Sequence, residues 1–475
     1  MIMMSDDTIV AVATPSGKGA LAIIRLSGDR AFEIADSVWK GAALNDCRSH
    51  TAHLGCIEDE KGEILDQAVA TVFRGPRSFT GEDVVEFSLH GSPWIIREVC
   101  NLLLRRGARG AEPGEFSRRA YLNGRMDLAS AEGVADLIAS SSRAAHRLAM
   151  QQTRGSFSKE FNELRDQLIQ LASLLELELD FSEEDVEFAD RTRLIEIVTL
   201  LLLKIDRLTA SYATGRAIKE GVPVVIAGMP NVGKSTLLNA ILQEEKAIVS
   251  DIPGTTRDII EDTCEIDGIL FRFIDTAGLR ESSDKVENIG IERARQRLNN
   301  ASIVLWLIDP LASVGEQLSE MKATLQDLDG GQKIIPVITK AFAPGMSDST
   351  LDATRDYLHA AFKSQESTEE IQNPVSISAG EGKGLETLCD ALKKASTSDF
   401  DPEKELLLTN ARHYGDLLKA GEALRRALQQ MQAGSSADFI AMDIREATAA
   451  LSSLTGAITT PDLLNSIFSH FCIGK

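Results

Sequence analysis

The residues best suited to chemistry lie in the segment 228–236, whose sequence is GMPNVGKST. The apolar run 222–227 before it predicts a buried strand, and residues 237–242 after it predict the start of a helix. A strand, a glycine-bounded loop and a helix in this order are the setting of a phosphate-binding loop. Its N–H groups and helix dipole favour phosphate oxygens, Lys234 can reach the β- and γ-phosphates, and Ser235 can bind Mg²⁺. The segment predicts a nucleoside triphosphate site.

Two later segments complete the pattern of a nucleotide-hydrolysing switch. The sequence DTAG at 275–278 ends a strand-like run, so Asp275 can hold Mg²⁺ through water and Gly278 can donate its N–H to the γ-phosphate. Between this segment and the first lies GTTRD at 254–258, a candidate switch loop in which Thr256 completes the Mg²⁺ shell. The order of the three segments predicts a GTPase-type switch domain.

The group that orients the attacking water is less obvious. Leu279 follows the DTAG segment, and a leucine cannot orient water as the glutamine of Ras-like enzymes does. Three nearby acids are candidates, namely Glu281, Asp284 and Glu287. Hydrolysis also needs a positive charge that stabilises the transferred phosphate, and this charge must come from a protein arginine or a bound monovalent cation. Asn231 and the backbone near Ser250 and Ile252 can supply oxygens to a cation, although Asn231 is equally compatible with a purely structural role in the loop.

The base-recognition segment is irregular. A strand predicted at 333–338 should be followed by NKxD or TKxD, but the sequence is Thr339-Lys340-Ala341-Phe342. Phenylalanine cannot accept hydrogen bonds from guanine N1 and N2, and losing those bonds weakens discrimination. The segment Ser378-Ala379-Gly380 still has the character of the loop whose backbone N–H meets guanine O6. Guanine therefore remains the expected base, with a weaker preference than an intact motif gives.

The nucleotide site predicted from these segments is extensive. Its residues are Asn231, Val232, Gly233, Lys234, Ser235, Thr236, Ser250, Asp251, Ile252, Pro253, Gly254, Thr255, Thr256, Asp275, Thr276, Ala277, Gly278, Thr339, Lys340, Ser378, Ala379 and Gly380.

The elements that must position this site predict a multidomain protein combining α/β and all-α parts. Residues 1–123 alternate in strand fashion around one helix, which predicts an α+β domain. Residues 124–217 and 396–475 carry apolar side chains at helical spacing. The simplest arrangement is one discontinuous helical bundle, with a Ras-like P-loop domain at 218–395 inserted into it.

Composition limits the class of protein. The chain of 475 residues exceeds one core, and its apolar and charged contents are ordinary for a globular protein. The start lacks the features of a signal peptide, and the most apolar stretch is too short to span a bilayer. Six scattered cysteines without CxxC spacing favour a reducing compartment over a zinc site or disulfide framework. We therefore expect a cytoplasmic protein without a membrane segment.

The net charge of −21 argues against broad, non-specific binding of nucleic acid. One local exception is an arginine-rich stretch at 97–125. It is compatible with a solvated helical face carrying local ion pairs and also with a surface that faces a polyanion.

Several long motifs together resemble the MnmE (TrmE) family of tRNA-modification GTPases over the whole chain. They are ATPSGKGALAIIRLSG, SFTGEDVVEF with HGSP, EPGEFSRRAYLNGRMDLASAE, GMPNVGKST, DIPGTTRD, DTAGLRESSDKVENIGIERA and the terminal FCIGK. The resemblance implies a folate-binding N-terminal domain that also dimerises, a discontinuous helical domain and an inserted G domain. It further implies potassium-activated GTP hydrolysis. With the FAD protein MnmG, a member of this family adds an aminomethyl-type group at C5 of the tRNA wobble uridine, so the resemblance implies this reaction too. The carbon of that group comes from a tetrahydrofolate derivative. A homodimer, and a heterotetramer with MnmG, are expected.

The resemblance also assigns roles to residues. It implies K⁺ binding by Asn231, Ser250, Ile252 and Thr255, Mg²⁺ binding by Ser235 and Thr256, and water orientation by Glu287. The positions that it implies for folate binding are Arg25, Glu86, Arg125 and Lys475, with arginine at 125 where a lysine is expected. Cys472 is either a catalytic thiol near the folate or an ordinary buried thiol at a helix end. The C-terminal sequence CIGK, which begins with Cys472, is a poor prenylation signal.

Two other functions remain open on the sequence. A ribosome-assembly GTPase would bind ribosomal RNA and lack folate affinity. A regulatory switch would turn over very slowly and show no cation effect.

Overall fold

The computed structural model describes residues 7–180, 191–244, 261–274, 296–326, 330–343, 346–363, 370–397 and 405–474. The chain divides into two compact units. The first comprises Met1–Ala139, Ala149–Leu202 and Asp416–Lys475, and the second comprises Ser140–Leu148 and Leu203–Gly415. The second unit thus interrupts the chain of the first.

The first unit begins with a mixed seven-stranded sheet in the order β3-β4-β5-β6-β2-β1-β7. Its strands are β1 (Ile9–Val12), β2 (Leu21–Ser27), β3 (Trp39–Lys40), β4 (Thr51–Glu58), β5 (Ile64–Phe73), β6 (Val84–His90) and β7 (Arg109–Gly110). All pairs are antiparallel except β1 with β7. Alternate residues such as Ile24, Leu26 and Phe87 point to a core that is covered by helices α1 (Ala31–Asp36) and α2 (Pro93–Arg105).

A set of helices follows this sheet. They are α3 (Glu115–Leu122), α4 (Leu128–Ala139), α5 (Arg143–Thr153), α6 (Ser156–Asp180), α7 (Arg191–Ala210) and α8 (Tyr212–Glu220), and, late in the chain, α13 (Ala411–Gln432), α14 (Ala437–Thr455) and α15 (Pro461–Phe468). Helix α14 packs along α6 within the first unit. Both helices bury apolar residues at intervals of three and four, for example Phe161, Leu164 and Leu168 on α6 and Ile440 and Ile444 on α14. One helical bundle is therefore built from segments on both sides of the inserted unit.

The second unit contains a sheet in the order β13-β12-β11-β8-β10-β9, with β14 paired to β12. Its elements are β8 (Val222–Ala227), α9 (Lys234–Glu244), β9 (Glu261–Ile266), β10 (Ile269–Ile274), β11 (Ile303–Ile308), α10 (Val314–Gln326), β12 (Lys333–Ile338), α11 (Asp348–Lys363), β13 (Glu370–Ile371), β14 (Val375–Ser376) and α12 (Leu385–Ser396). Only β9 is antiparallel to its neighbour among these described strands. Every residue of β11 is buried, as expected of a central strand in a parallel sheet covered on both faces.

The predicted fold class is confirmed: an α+β part, a discontinuous helical bundle and a Ras-like P-loop part occur in one chain. Within the described residues, every helix is too short or too polar to cross a bilayer.

Apolar residues at helical spacing from Leu407 to Met431 predict a helix over this range, but the helix starts later, at Ala411. The backbone N–H of Leu408 donates to Ser211 Oγ at 3.0 Å, and a Cβ on Gly215 would lie 2.3 Å from the Leu408 carbonyl oxygen. Leu407 and Leu408 are fully buried, so their apolar character reflects an extended segment packed on α8 and not a helical turn. The sequence at 374–377 predicts a strand, of which only Val375–Ser376 forms one. The apolar spacing at 461–471 predicts a helix that extends three residues beyond the observed end at Phe468.

Candidate functional site

The phosphate-binding loop runs from the end of β8 to the start of α9. Gly228 has φ +134°, and a Cβ there would lie 2.6 Å from the Leu307 carbonyl oxygen, so only glycine fits against β11. Gly233 has φ +105°, and a Cβ there would meet nothing within 4 Å among the described residues beyond its chain neighbours, so none of those residues fills the inner side of the loop. Asn231 adopts a left-handed φ of +63°, a conformation that asparagine tolerates better than most residues. The backbone is thus shaped as a cradle for phosphate oxygens.

Side chains at the start of α9 add chemical groups to this cradle. Lys234 Nζ donates to the carbonyl oxygens of Gly228 at 2.6 Å and Met229 at 3.1 Å, so the ammonium lies across the loop. Helix α9 is fixed by buried Leu237, whose N–H donates to the Gly233 oxygen at 2.9 Å. Ser235 and Thr236 lie in the first turn, where Thr236 is exposed. A hydroxyl, an ammonium and the N–H groups of a helix start are a donor set suited to phosphate with Mg²⁺.

The base-recognition segment leaves the sheet at the end of β12. Thr339 is buried, and its N–H and Oγ1 both donate to the Ile308 carbonyl oxygen, at 2.8 and 3.1 Å. Lys340 has φ +54°, and its Nζ donates to Asp309 Oδ2 at 2.6 Å. The ends of β11 and β12 are therefore tied together at the same sheet edge as the phosphate loop, where ligands of such sheets bind.

The second base segment, Ser378-Ala379-Gly380, lies beside the first. Ile377 accepts a hydrogen bond from the Ala341 N–H at 2.9 Å, and the Ser378 N–H donates to the Lys383 carbonyl oxygen at 2.9 Å. Only glycine fits at position 384, at the end of this turn, because a Cβ there would lie 2.3 Å from the Ser376 carbonyl oxygen. Both predicted base segments are therefore brought together.

Thirteen predicted site residues lie outside the described residues. They are Ser250, Asp251, Ile252, Pro253, Gly254, Thr255, Thr256, Asp275, Thr276, Ala277, Gly278, Glu287 and Lys475. Their placement, and the choice of Glu287 over Glu281 and Asp284, stays a prediction.

A second cluster, in the first unit, gathers around Arg25. Arg25 and Glu86 are directly paired across β2 and β6, and Arg25 Nε donates to Glu86 Oε1 at 2.7 Å. The guanidinium lies over the rings of Phe79 and Phe116, at 5.3 and 5.6 Å from their centroids. Its Nη1 also donates to the Gly474 carbonyl oxygen at 3.4 Å. The cluster combines a cation, a carboxylate and two aromatic faces.

Two more predicted residues, Arg125 and Cys472, lie in the same unit as this cluster. The exposed Arg125 packs along the turn that follows Phe79. Its Cγ is so close to Gly81 that a Cβ added to this glycine would lie 3.2 Å away. Cys472 is exposed, and its carbonyl oxygen accepts from the Gly114 N–H at 3.4 Å. The prediction that Cys472 is an ordinary buried thiol is therefore wrong, because its side chain is exposed where the chain end passes α3.

Three residues that contact the predicted site residues were not expected from the sequence. Phe79 and Phe116 stack on Arg25, and Asp309 holds Lys340. Asp309 had a usable signal, since it directly follows the strongly apolar strand β11. The two phenylalanines had none, because their spacing to Arg25 follows only from the fold.

A network of charged side chains joins α3 to β7 and to Asp7. Arg109 and Arg119 both contact Glu115, at 2.6 and 3.1 Å, and both also contact Asp7. Burial on its own raises the pKa of the Glu115 carboxyl, but hydrogen bonds from Arg109, from the Glu112 N–H and from Arg119 outweigh it, so the pKa is lowered. Glu115 is therefore held ionised between two arginines.

Comparison with known proteins places the chain in a family. A family model described as the GTP-binding protein TrmE N-terminus matches residues 8–125, and one described as the MnmE helical domain matches residues 128–472. The tRNA modification GTPase MnmE of Cytophaga hutchinsonii is 49% identical over 469 residues, covering 99% of this chain and 98% of the relative. The proteins of the same name from Flavobacterium johnsoniae and Christiangramia forsetii are 46% and 45% identical, each over the full length of both chains. From its sheet and bundle to its phosphate loop, the chain belongs to the MnmE family of tRNA modification GTPases.

Proposed function

We propose that this chain is a potassium-activated GTPase that, with MnmG, takes part in the tetrahydrofolate-dependent, C5 aminomethyl-type modification of the tRNA wobble uridine at position 34. The observation that carries the proposal is the phosphate loop, in which Gly228, Gly233 and Lys234 form a cradle at the start of α9. Full-length identity to relatives named tRNA modification GTPase supports the assignment of the reaction.

In the G domain, Lys234 would hold the β- and γ-phosphates, and Ser235 and Thr256 would hold Mg²⁺, with Asp275 acting through water. Asn231, Ser250, Ile252 and Thr255 would hold K⁺. The ion supplies the positive charge that an arginine finger gives in other GTPases. Because a leucine follows the DTAG segment, another group must orient the attacking water, and the family resemblance assigns this role to Glu287.

In the N-terminal domain, Arg25, Glu86, Arg125 and Lys475 would hold the folate. The donor set fits such a ligand. A carboxylate suits the amino–oxo edge of a pterin, a guanidinium suits a carboxylate tail, and aromatic faces such as Phe79 suit a flat ring. The folate supplies the one-carbon unit, and the exposed Cys472 lies on the segment whose Gly474 oxygen contacts Arg25.

The partners follow from the same proposal. MnmG would bring FAD, the tRNA would be the shared substrate, and the chain would act as a cytoplasmic homodimer or as a heterotetramer with MnmG, away from membranes. The domain boundaries that we propose are 1–123, 124–217, 218–395 and 396–475.

The first test compares GTP hydrolysis by the full chain in KCl and in NaCl at equal ionic strength. We expect clearly faster turnover in KCl. Equal and very slow turnover in both salts would favour the regulatory switch, whose nucleotide state only controls a partner.

The second test is mass spectrometry of tRNA nucleosides from cells with and without the gene. Loss of the C5-modified wobble uridine is the expected result. Unchanged modification, together with binding to ribosomal RNA and no folate affinity, would favour a ribosome-assembly GTPase.

A further inference from the structure

The base side of the nucleotide site carries an aromatic ring where a carboxylate is expected. Phe342 is 44% exposed, and its ring centroid lies 6.0 Å from Lys383 Nζ. The hydrogen bond from the Ala341 N–H to the Ile377 oxygen, at 2.9 Å, fixes this segment beside the loop that starts at Ser378. The side chain at position 342 therefore stands next to the base loop and not in the protein core.

Two carboxylates on neighbouring segments are already bound to lysines. Asp309 accepts from Lys340 Nζ at 2.6 Å and from the Leu311 N–H at 3.0 Å, so each of its oxygens has a donor. Glu381 Oε2 lies 2.8 Å from Lys383 Nζ. A phenyl ring offers no acceptor to the N1–H and 2-amino donors of guanine.

We propose that this site recognises purine nucleotides by the 6-oxo group and does not read position 2 of the base, so that GTP and ITP are equivalent substrates. Phe342 is the residue that sets this specificity. The inference rests on the GTP hydrolysis proposed above and identifies the class of nucleotide that the same site accepts.

The chemistry of each base gives a distinct expectation. Hypoxanthine differs from guanine only by lacking the 2-amino group, so it loses nothing where a phenyl ring stands in place of the carboxylate acceptor. Xanthine carries a 2-oxo group, which a carboxylate would repel and a phenyl ring does not. Adenine carries a 6-amino group, which is a hydrogen-bond donor. It would face the backbone N–H groups of the base loop, which are also donors, so no hydrogen bond could form. We expect GTP, ITP and XTP to be used and ATP to be rejected.

The experiment measures kcat/KM of the full chain for GTP, ITP, XTP and ATP in KCl. The wild-type GTP-to-ITP ratio should lie within about 3-fold of one. Phe342→Asp restores an acceptor at an exposed position and should raise this ratio about 10-fold or more. Phe342→Ala is the matched control, because it removes the ring without adding an acceptor and should keep the ratio near one.

A wild-type preference for GTP over ITP of about 10-fold or more would overturn the inference. Glu381→Ala would then show whether Glu381 is the acceptor, because it removes both carboxylate oxygens and should abolish the preference. Competition of GDP and IDP against a fluorescent nucleotide measures the same ratio without turnover. Absence of hydrolysis with equal GDP and IDP binding would contradict the proposed GTPase and leave the base inference supported.

Discussion

Lys340 Nζ lies 2.6 Å from Asp309 Oδ2, so the lysine that follows β12 is bound to the carboxylate that follows β11. The pair joins two adjacent strand ends at the edge that holds the phosphate loop. Lys340 is also one of the non-glycine residues with a left-handed φ, so the ion pair helps to hold a backbone conformation that is otherwise unfavourable.

We predict that Asp309→Asn raises the KM for GTP by about 2–5-fold with little change in kcat, because a partly exposed ion pair contributes about 1 kcal/mol or less. Steady-state kinetics give both constants. Asp352→Asn is the control, since Asp352 makes an exposed pair with Arg355 on α11 and should leave both constants unchanged. A fall in kcat at constant KM would contradict a positioning role for Asp309.

Asn231 permits a test that separates its side chain from its backbone. Its φ of +63° is strained for alanine but free for glycine. If its side-chain oxygen binds K⁺, Asn231→Gly should lose the stimulation by KCl and keep the rate measured in NaCl. Asn231→Ala should lose the stimulation and also lower the melting temperature. Retained stimulation in Asn231→Gly would mean that asparagine serves only the shape of the loop.

Glu115 should give the chain a measurable acid dependence. Its folded pKa lies below the ordinary value of 4.5, so its charged form stabilises the fold above about pH 4.5, and this contribution is lost as pH falls toward the folded pKa. Glu115→Gln should therefore destabilise the first unit at pH 7 by about 3 kcal/mol, because two arginines lose their shared partner. The difference from wild type should shrink below about pH 4.5.

Scanning calorimetry across pH checks this dependence. Glu112→Gln serves as the control, because Glu112 is exposed and lies 3.5 Å from Arg118. A destabilisation that stays constant from pH 7 to pH 4 would show that packing, and not ionisation, explains the effect of Glu115.

Two cysteines should differ sharply in reactivity. Burial raises the pKa of the Cys100 thiol from 9.0 to about 11, whereas Cys472 is exposed. At pH 8 the Cys100 thiolate is therefore about 100-fold scarcer than for an ordinary thiol, and iodoacetamide should label Cys472 first. Peptide mass spectrometry of the native protein gives both rates. Comparable labelling of the two sites would mean that α2 opens readily.

The sequence was sufficient for the parts of the fold that depend on local pattern. The phosphate loop, its flanking strand and helix, and the helical spacing of α6 and α14 were all predicted, because a glycine-bounded loop and a repeated apolar stripe are read directly from neighbouring residues. The strand β12, which ends four residues before Phe342, was also predicted.

Other features depend on contacts between distant residues. The sequence around Leu407 and Leu408 predicts a helical turn. These residues are extended instead, because they pack against Ser211 and Gly215, which lie far away in the sequence. The exposure of Cys472 depends on where the chain end lies beside Gly114. Local propensity carries no information about such distant neighbours, so these details depend on the folded structure.

The contact between Arg25 and Gly474 also bears on the order in which the protein is made. The two residues are 449 positions apart. A ribosome that adds about 5–20 residues per second needs roughly 20–90 s to reach Gly474 after it has added Arg25. A Cβ on Gly474 would lie 2.3 Å from the Val12 oxygen, so the late segment fits closely against the first strand. A nascent chain can thus form its N-terminal sheet early, but the Arg25 cluster is completed only when translation is almost finished.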